Sequence, residues 1–312
     1  MFKDLKVLRS INGVPAAGPI FIIIAALLWA FDGVIRRYLY ELPPITIIFF
    51  EHLIGLIILL PFVYKKIFKT NFTKKEWGLL VLIAVLSGLL GTLWFTTALL
   101  KVHFISFSVV FLLQKLQPIF AITTARLFLK EKIEGRYIFW AILALVSAFF
   151  VTFPNGDINW VTGKGTIVAA IFALLAAVAW GSSTTFSKIA LTQQNPKVIT
   201  TLRFLLTTIM AFIAIFVLGK HTDFRLPVTS EFWRFFVIAL STGMVALLIY
   251  YKGLKSTPVR VATILELVFP VVAIFIDVIL YDSVLLVSQY IAGAVLLFTM
   301  YRITVLQQKN EI

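Results

Sequence analysis

The side chains best placed to do chemistry are polar residues stranded inside long apolar runs. Gln114, Lys115 and Gln117 share about one turn inside the run 104–129, and Glu266 sits inside 259–281. Lys115 lies roughly 16 Å along its run at the helical rise, too deep to reach a bilayer surface easily. A charge at mid-bilayer costs about 2.5–3.5 kcal/mol on insertion scales, so such residues face a polar interior and mark a pathway or a partner. Two readings stay open for Gln114, Lys115 and Glu266. They line a central solute cavity, or Lys115 forms a structural ion pair with Glu266 or Glu51. Pro118 and Pro270 each remove the hydrogen bond to the carbonyl four residues earlier. That leaves the Gln114 and Glu266 carbonyls expected free near mid-membrane.

Further candidates surround these. Asp32 and Arg36 are spaced i,i+4 and can pair on one helix face. Asp32, Glu51 and His52 are possible coupling groups, since histidine titrates near neutrality. Adjacent residues on a helix point apart, so Glu51 and His52 address different neighbours. Arg203 is the second cation inside a span. Trp29 and Trp180 lie too deep for an interfacial aromatic belt; each lines a cavity or simply packs helices. Lys188 and Arg37 are expected to snorkel to headgroups. Lys101, His103 and Lys255 fall in connections and are expected to be solvated.

Much chemistry is missing. The chain has no cysteine, and its three histidines, His52, His103 and His221, lack metal-ligand spacing. Gly163-Lys164-Gly165 has no Ser or Thr directly after the lysine, so the phosphate-loop pattern fails. No Ser/His/Asp set can be assigned. Neither a cofactor nor a metal is expected, and the chain is not expected to be an enzyme.

The elements that hold these residues follow from composition. Of 312 residues, 61% are apolar and 13% charged, against about 45–50% and about 25% in soluble domains. Mean hydropathy is +1.01. Ten apolar runs recur, over 19–38, 44–64, 77–100, 104–129, 137–153, 165–191, 196–218, 232–251, 259–281 and 285–301. They are numbered spans 1 to 10 below. Lipid cannot satisfy an open strand edge, so each span is a helix. The expected fold is an all-α polytopic membrane protein. The net charge of +14 would suggest nucleic acid in a soluble chain. Here nineteen of the 28 Lys and Arg fall on one face and seven on the other, with Lys115 and Arg203 inside spans. The richer face is the cytoplasmic one. Both termini are therefore expected in the cytoplasm, in an inner membrane, with no nucleic-acid partner.

The chain also repeats itself. Ala26, Trp29, Ala30 and Arg37 return 151 residues later as Ala177, Trp180, Gly181 and Lys188. From span 2 onward the offset is 152: Pro44 returns as Pro196, Glu51 aligns with Arg203, and Pro118 returns as Pro270. Each half holds five helices, an odd number, so the second half enters from the opposite side. The expected units are 1–154 and 155–312, ten helices in two inverted repeats, an architecture of many secondary transporters. Inversion puts Glu51 toward the outer side and Arg203 toward the inner.

Ala25-Ala26-Leu27-Leu28-Trp29-Ala30 and Ala176-Ala177-Val178-Ala179-Trp180-Gly181 resemble the opening helix of EamA-type repeats. So do Arg203-Phe204 and the stretch from Gln117-Pro118 to Phe128-Leu129-Lys130-Glu131. The whole chain resembles the drug/metabolite transporter superfamily. It departs from that pattern at Glu51, where an arginine is usual, and at Asp282, where a glutamate is. The resemblance implies a secondary transporter with a cavity lined by spans 1–4 and 6–9. The expected function is gradient-coupled movement of a small organic solute by alternating access, with export and proton coupling as its finer terms. The competing readings are a membrane enzyme acting on a lipid-like substrate and a non-transporting sensor or subunit.

Overall fold

The computed structural model describes residues 17–39, 41–101, 113–157, 166–281 and 286–310. His103, Asp282, the Gly163-Lys164-Gly165 segment and residues 104–112 of span 4 lie outside the described residues. Every regular element among the described residues is helical. Eight stretches are long and apolar enough to cross a membrane: 17–36, 44–69, 74–101, 135–152, 167–193, 196–217, 229–256 and 287–306. These are spans 1, 2, 3, 5, 6, 7, 8 and 10. Span 9 is two shorter helices, Val259–Leu265 and Val268–Tyr281. Span 4 is described from 113 on and contains Gln117–Thr124 and a π-helical turn, Ala125–Leu129.

Local chemistry sets the helix starts. Spans 2 and 7 both begin on a proline, Pro44 and Pro196, whose fixed φ and missing N–H suit a first turn. Span 3 begins with a reciprocal cap: the Glu76 N–H donates to Thr73 Oγ1 at 3.3 Å, and the Thr73 N–H donates to Glu76 Oε2 at 2.8 Å. Several helices outrun their apolar stretch. Span 2 continues to Lys69 through Lys65 and Lys66. Hydropathy ends at the lipid boundary, whereas the helix continues, because basic side chains suit the carbonyl end of a helix.

The packing carries the repeat. Spans 2 and 7 lie together, as do 5 and 10, and 4 and 9. Span 1 packs on spans 8 and 9, and its counterpart, span 6, packs on spans 3 and 4. The three equivalent pairs in contact run antiparallel. Ile45 and Ile48, early in span 2, share a cluster with Ala211 and Ile215, late in span 7. Gln289 Nε2, at the start of span 10, donates to the Val151 carbonyl at the end of span 5 at 3.0 Å. At the other end of that pair the Arg302 guanidinium stands 5.3 Å from the Trp140 ring centroid. Glu131, past the end of span 4, accepts from the Val259 N–H that opens span 9 at 2.8 Å. An antiparallel match of equivalent helices is what an inverted repeat requires.

Small residues bring the backbones close. Ala26, Ala30 and Ala177 are buried. A Cβ on Gly181 would stand 2.6 Å from the Gln117 carbonyl oxygen and 3.0 Å from the Ala121 nitrogen. Only glycine lets span 6 approach the broken part of span 4 so closely. The outward faces carry exposed Phe62, Phe212, Ile171 and Ile279, as lipid contact demands.

Candidate functional site

Spans 4 and 9 break within one residue of equivalent places. The Leu116 N–H donates to the Leu113 carbonyl at 3.1 Å, and the Leu267 N–H, 151 residues on, donates to the Ile264 carbonyl at 3.0 Å. Both are three-residue turns that interrupt the α pattern. The breaks bring the sequence-predicted residues to one place. Gln114 Nε2 donates to Gln117 Oε1 at 3.3 Å. Gln117 Nε2 donates to Glu266 Oε2 at 3.1 Å, and Tyr250 Oη donates to Glu266 Oε1 at 2.6 Å. Trp29 lies against Tyr250 with ring centroids 5.0 Å apart. Gln114 Oε1 is buried with no hydrogen-bond partner among the described residues. The result is a relay of amide, carboxylate and phenol that joins spans 4, 9 and 8, with span 1 supplying an aromatic wall.

One detail differs from expectation. The Glu266 carbonyl is not free, because it accepts from the Phe269 N–H at 3.1 Å. At a helix break the chain tightens to an i,i+3 bond, which uses the carbonyl that proline would have orphaned. Both Glu266 carboxylate oxygens are engaged by Gln117 and Tyr250. The Lys115 ammonium lies 4.1 Å from the centroid of the Phe269 ring, a cation–π arrangement.

A second cluster forms where span 1 breaks at Phe31, between Ala17–Ala30 and Asp32–Arg36. Arg36 Nε donates to Asp32 Oδ2 at 2.6 Å and Nη1 to Glu51 Oε2 at 2.9 Å. Thr242 Oγ1, in the interruption of span 8 between Leu240 and Met244, donates to Asp32 Oδ1 at 2.6 Å. Arg36 is 6% exposed and Glu51 7%. His52 faces elsewhere: Nδ1 is 2.9 Å from the Ile48 carbonyl and the ring centroid is 4.8 Å from that of Phe204.

A third cluster surrounds Arg203, itself 8% exposed. Nη2 donates to Ser87 Oγ at 2.7 Å and Nη1 to Tyr251 Oη at 2.9 Å. Ser187 Oγ is 3.0 Å from the same Tyr251 oxygen. Trp180 Nε1 donates to the Ser87 carbonyl at 3.2 Å, and its ring packs on Phe95 at 5.1 Å. Ser87 lies in a π-helical stretch, Ala84–Gly91, of span 3. Among the described residues Arg203 has no carboxylate within ion-pair distance, and its Nε is buried without a partner. Arg203 and Trp180 thus stand together in this cluster, while Trp29, Gln114 and Gln117 come to the Glu266 relay.

Lys188 corrects an expectation. It does not reach headgroups; it is buried. Its Nζ donates to the carbonyls of Leu254, Lys255 and Thr257 at 2.8, 2.9 and 3.0 Å. It satisfies the open carbonyl end of span 8, where the helix dipole favours a cation. Sequence reasoning also gave little weight to Tyr250, Tyr251, Ser87 and Thr242. None is unusual in a membrane span, and only the fold places each beside a charge. Outside the spans, Arg225 meets both Glu231 oxygens at 2.7 Å, which raises its guanidinium pKa above the ordinary value.

No group of three or more metal-ligating acids or histidines occurs among the described residues. The chemistry on offer is recognition: donors and acceptors on broken helices, aromatic faces, and two charged clusters flanking them.

Comparison with known proteins agrees with this layout. The model of the EamA-like transporter family matches residues 16–153 and 167–305. A riboflavin transporter, ImpX, of Fusobacterium nucleatum subsp. nucleatum is 34% identical over 283 residues, covering 90% of this chain and 94% of that protein. An uncharacterized transporter of Clostridium kluyveri is 25% identical over 265 residues, 82% of this chain and 83% of its own. A crystal structure at 15% identity matches with a TM-score of 0.77, over 94% of this chain and 100% of the other; that likeness concerns the fold alone.

Proposed function

From the premise that this chain belongs to the EamA-like transporter family, we propose that it is a secondary active transporter for riboflavin or a closely related planar heteroaromatic solute. It is an integral membrane protein, and the repeats 1–154 and 155–312 rock about the Glu266 relay. The observation that carries the reading is the relay itself. Two equivalent antiparallel helices break at mid-span, and their polar side chains meet there beside the Trp29–Tyr250 aromatic pair. Such breaks near the midplane are where secondary transporters bind. The riboflavin assignment comes from the 34% identical relative. Chemistry supports it: an isoalloxazine ring offers flat faces for aromatic stacking and an edge of donors and acceptors that a carboxylate and amides can read.

In this reading Gln114, Lys115, Glu266 and Trp29 line the central site, and Trp180 and Arg203 line its inner approach. Asp32, Glu51 and His52 stand at its outer approach, where they and Glu266 are the ionisable groups available for proton coupling. Both termini face the cytoplasm, as the Lys and Arg count requires. The solute moves outward where its own gradient and the coupling ion favour export.

The test is counterflow. Purified protein in proteoliposomes loaded with unlabelled riboflavin accumulates labelled riboflavin from outside, and excess lumichrome competes. An imposed pH gradient changes the rate if protons are coupled. Equal accumulation in protein-free vesicles refutes riboflavin transport. A membrane enzyme would instead convert the solute chemically, and a sensor would bind it without accumulation.

A further inference from the structure

The two charged clusters are counterparts under the repeat. Adding 151 to Asp32 and Arg36 gives Ser183 and Ser187, and adding 152 to Glu51 gives Arg203. The first cluster draws on spans 1, 2 and 8; the second draws on spans 6, 7 and 3, with Tyr251 of span 8 added. Spans 1, 2 and 8 exchange with spans 6, 7 and 3 under the pseudo-two-fold that relates the repeats. Each cluster is linked inside its own repeat and also tied across to the other. Arg36–Glu51 and Arg203–Tyr251 are internal. Thr242–Asp32 and Ser87–Arg203 tie one repeat to the other.

Each crossing link also sits where a helix loses its α geometry. Span 8 is interrupted between Leu240 and Met244, and span 3 is π-helical over Ala84–Gly91. Gly91 and Gly243, one in each irregularity, are 152 residues apart. Irregular turns inside otherwise regular helices are where bending concentrates.

We infer that Asp32–Thr242 and Arg203–Ser87 are the outer and inner latches of the transport cycle, one broken and the other kept in each open state. The inference rests on the transporter reading above, but its test does not need the solute. Both latches are closed in this structure. They are chemically unequal: Asp32 is held in a doubly charged network with Arg36 and Glu51, whereas Arg203 holds only hydroxyls, with Nε buried and unpartnered. Leaving a buried donor unmade disfavours the closed inner side, so the inner latch is the easier of the two to open.

The chain has no cysteine, so single reporters are clean. Ala30→Cys lies behind the outer latch and Ser183→Cys behind the inner one; both positions are buried. The probe is a membrane-impermeant maleimide applied to one side of vesicles of known orientation. Thr242→Val and Ser87→Ala each remove one crossing hydroxyl with little change of shape. Thr242→Val is expected to speed outside labelling of the Ala30→Cys reporter about tenfold, a shift within the usual range of conformational coupling. It should also slow inside labelling of the Ser183→Cys reporter. Ser87→Ala is expected to do the reverse. Arg36→Ala and Arg203→Ala should exaggerate the two effects where they remain monodisperse in detergent. If the folded hydroxyl variants leave both rates unchanged, or move both in the same direction, the latch assignment is wrong. Failure of riboflavin counterflow with opposed labelling shifts would overturn the solute and leave the latches standing.

Discussion

Replacing Glu266 separates the relay's contribution to folding from its contribution to transport. The carboxylate accepts two hydrogen bonds, from Tyr250 at 2.6 Å and Gln117 at 3.1 Å. Glu266→Ala strands both donors in a poorly hydrated interior. Each stranded donor costs about 1–3 kcal/mol, so the expected loss of stability is about 2–6 kcal/mol. Glu266→Gln is gentler, because its new amide oxygen still accepts from Tyr250. Its new amide nitrogen opposes the Gln117 nitrogen, which forces Gln117 to flip. Gln114 must then flip too, turning its currently unpartnered Oε1 toward Gln117. The relay is remade with neutral bonds in place of charge-assisted ones, at a cost of about 1–2 kcal/mol. Unfolding followed in detergent should therefore rank the native chain above Glu266→Gln, and Glu266→Gln well above Glu266→Ala. Transport should not follow that ranking. If the carboxylate binds solute, losing its charge removes at least about 1.4 kcal/mol, or tenfold in affinity, in both variants. Equal stability of the two variants would show that the relay does not form. Native transport by Glu266→Gln would show that the carboxylate does not read the solute.

Other perturbations probe the frame. Lys188→Met keeps the stem and removes the ammonium, leaving the three carbonyls of Leu254, Lys255 and Thr257 without their donor; unfolding should come earlier by about 2–5 kcal/mol, and a loss below about 0.5 kcal/mol would return Lys188 to the headgroups. Gly181→Ala drives a methyl to within 2.6 Å of the Gln117 carbonyl, so the yield of monodisperse protein should fall, whereas Gly78→Ala, which meets nothing, should leave it intact. Tyr250→Phe should weaken riboflavin binding, measured by fluorescence quenching, by about tenfold through loss of one charge-assisted bond. His52→Phe keeps the ring contact with Phe204 and removes titration, so transport that retains its pH dependence in this variant excludes His52 as the coupling group.

Much of the architecture was legible in the sequence for one reason. Lipid forces every span to satisfy its own backbone, so apolar length alone gives the helices. The 151–152 offset then gives the inverted repeat. The same offset sets Glu51 opposite Arg203 and Pro118 opposite Pro270. Gln114 and Glu266 could be picked out because polar residues are conspicuous in an apolar run. Ser87 and Thr242 could not, since Ser and Thr hydroxyls can satisfy themselves on their own helix and are ordinary in membrane spans.

Pairing is where sequence stopped. Neither span 4 nor span 9 read singly says that Gln117 and Tyr250 hold the two Glu266 oxygens. Lys188 looked like an interfacial lysine, yet the end of span 8 meets it inside the bundle. Both outcomes depend on which helix faces which, and at what height. The amino-acid order by itself determined the helices, their number, the repeat and the deep polar residues, because each follows from solvation along a single segment. Tertiary structure alone decided the partners, because a hydrogen bond needs two groups within about 3 Å, and groups on different spans reach that distance only through packing.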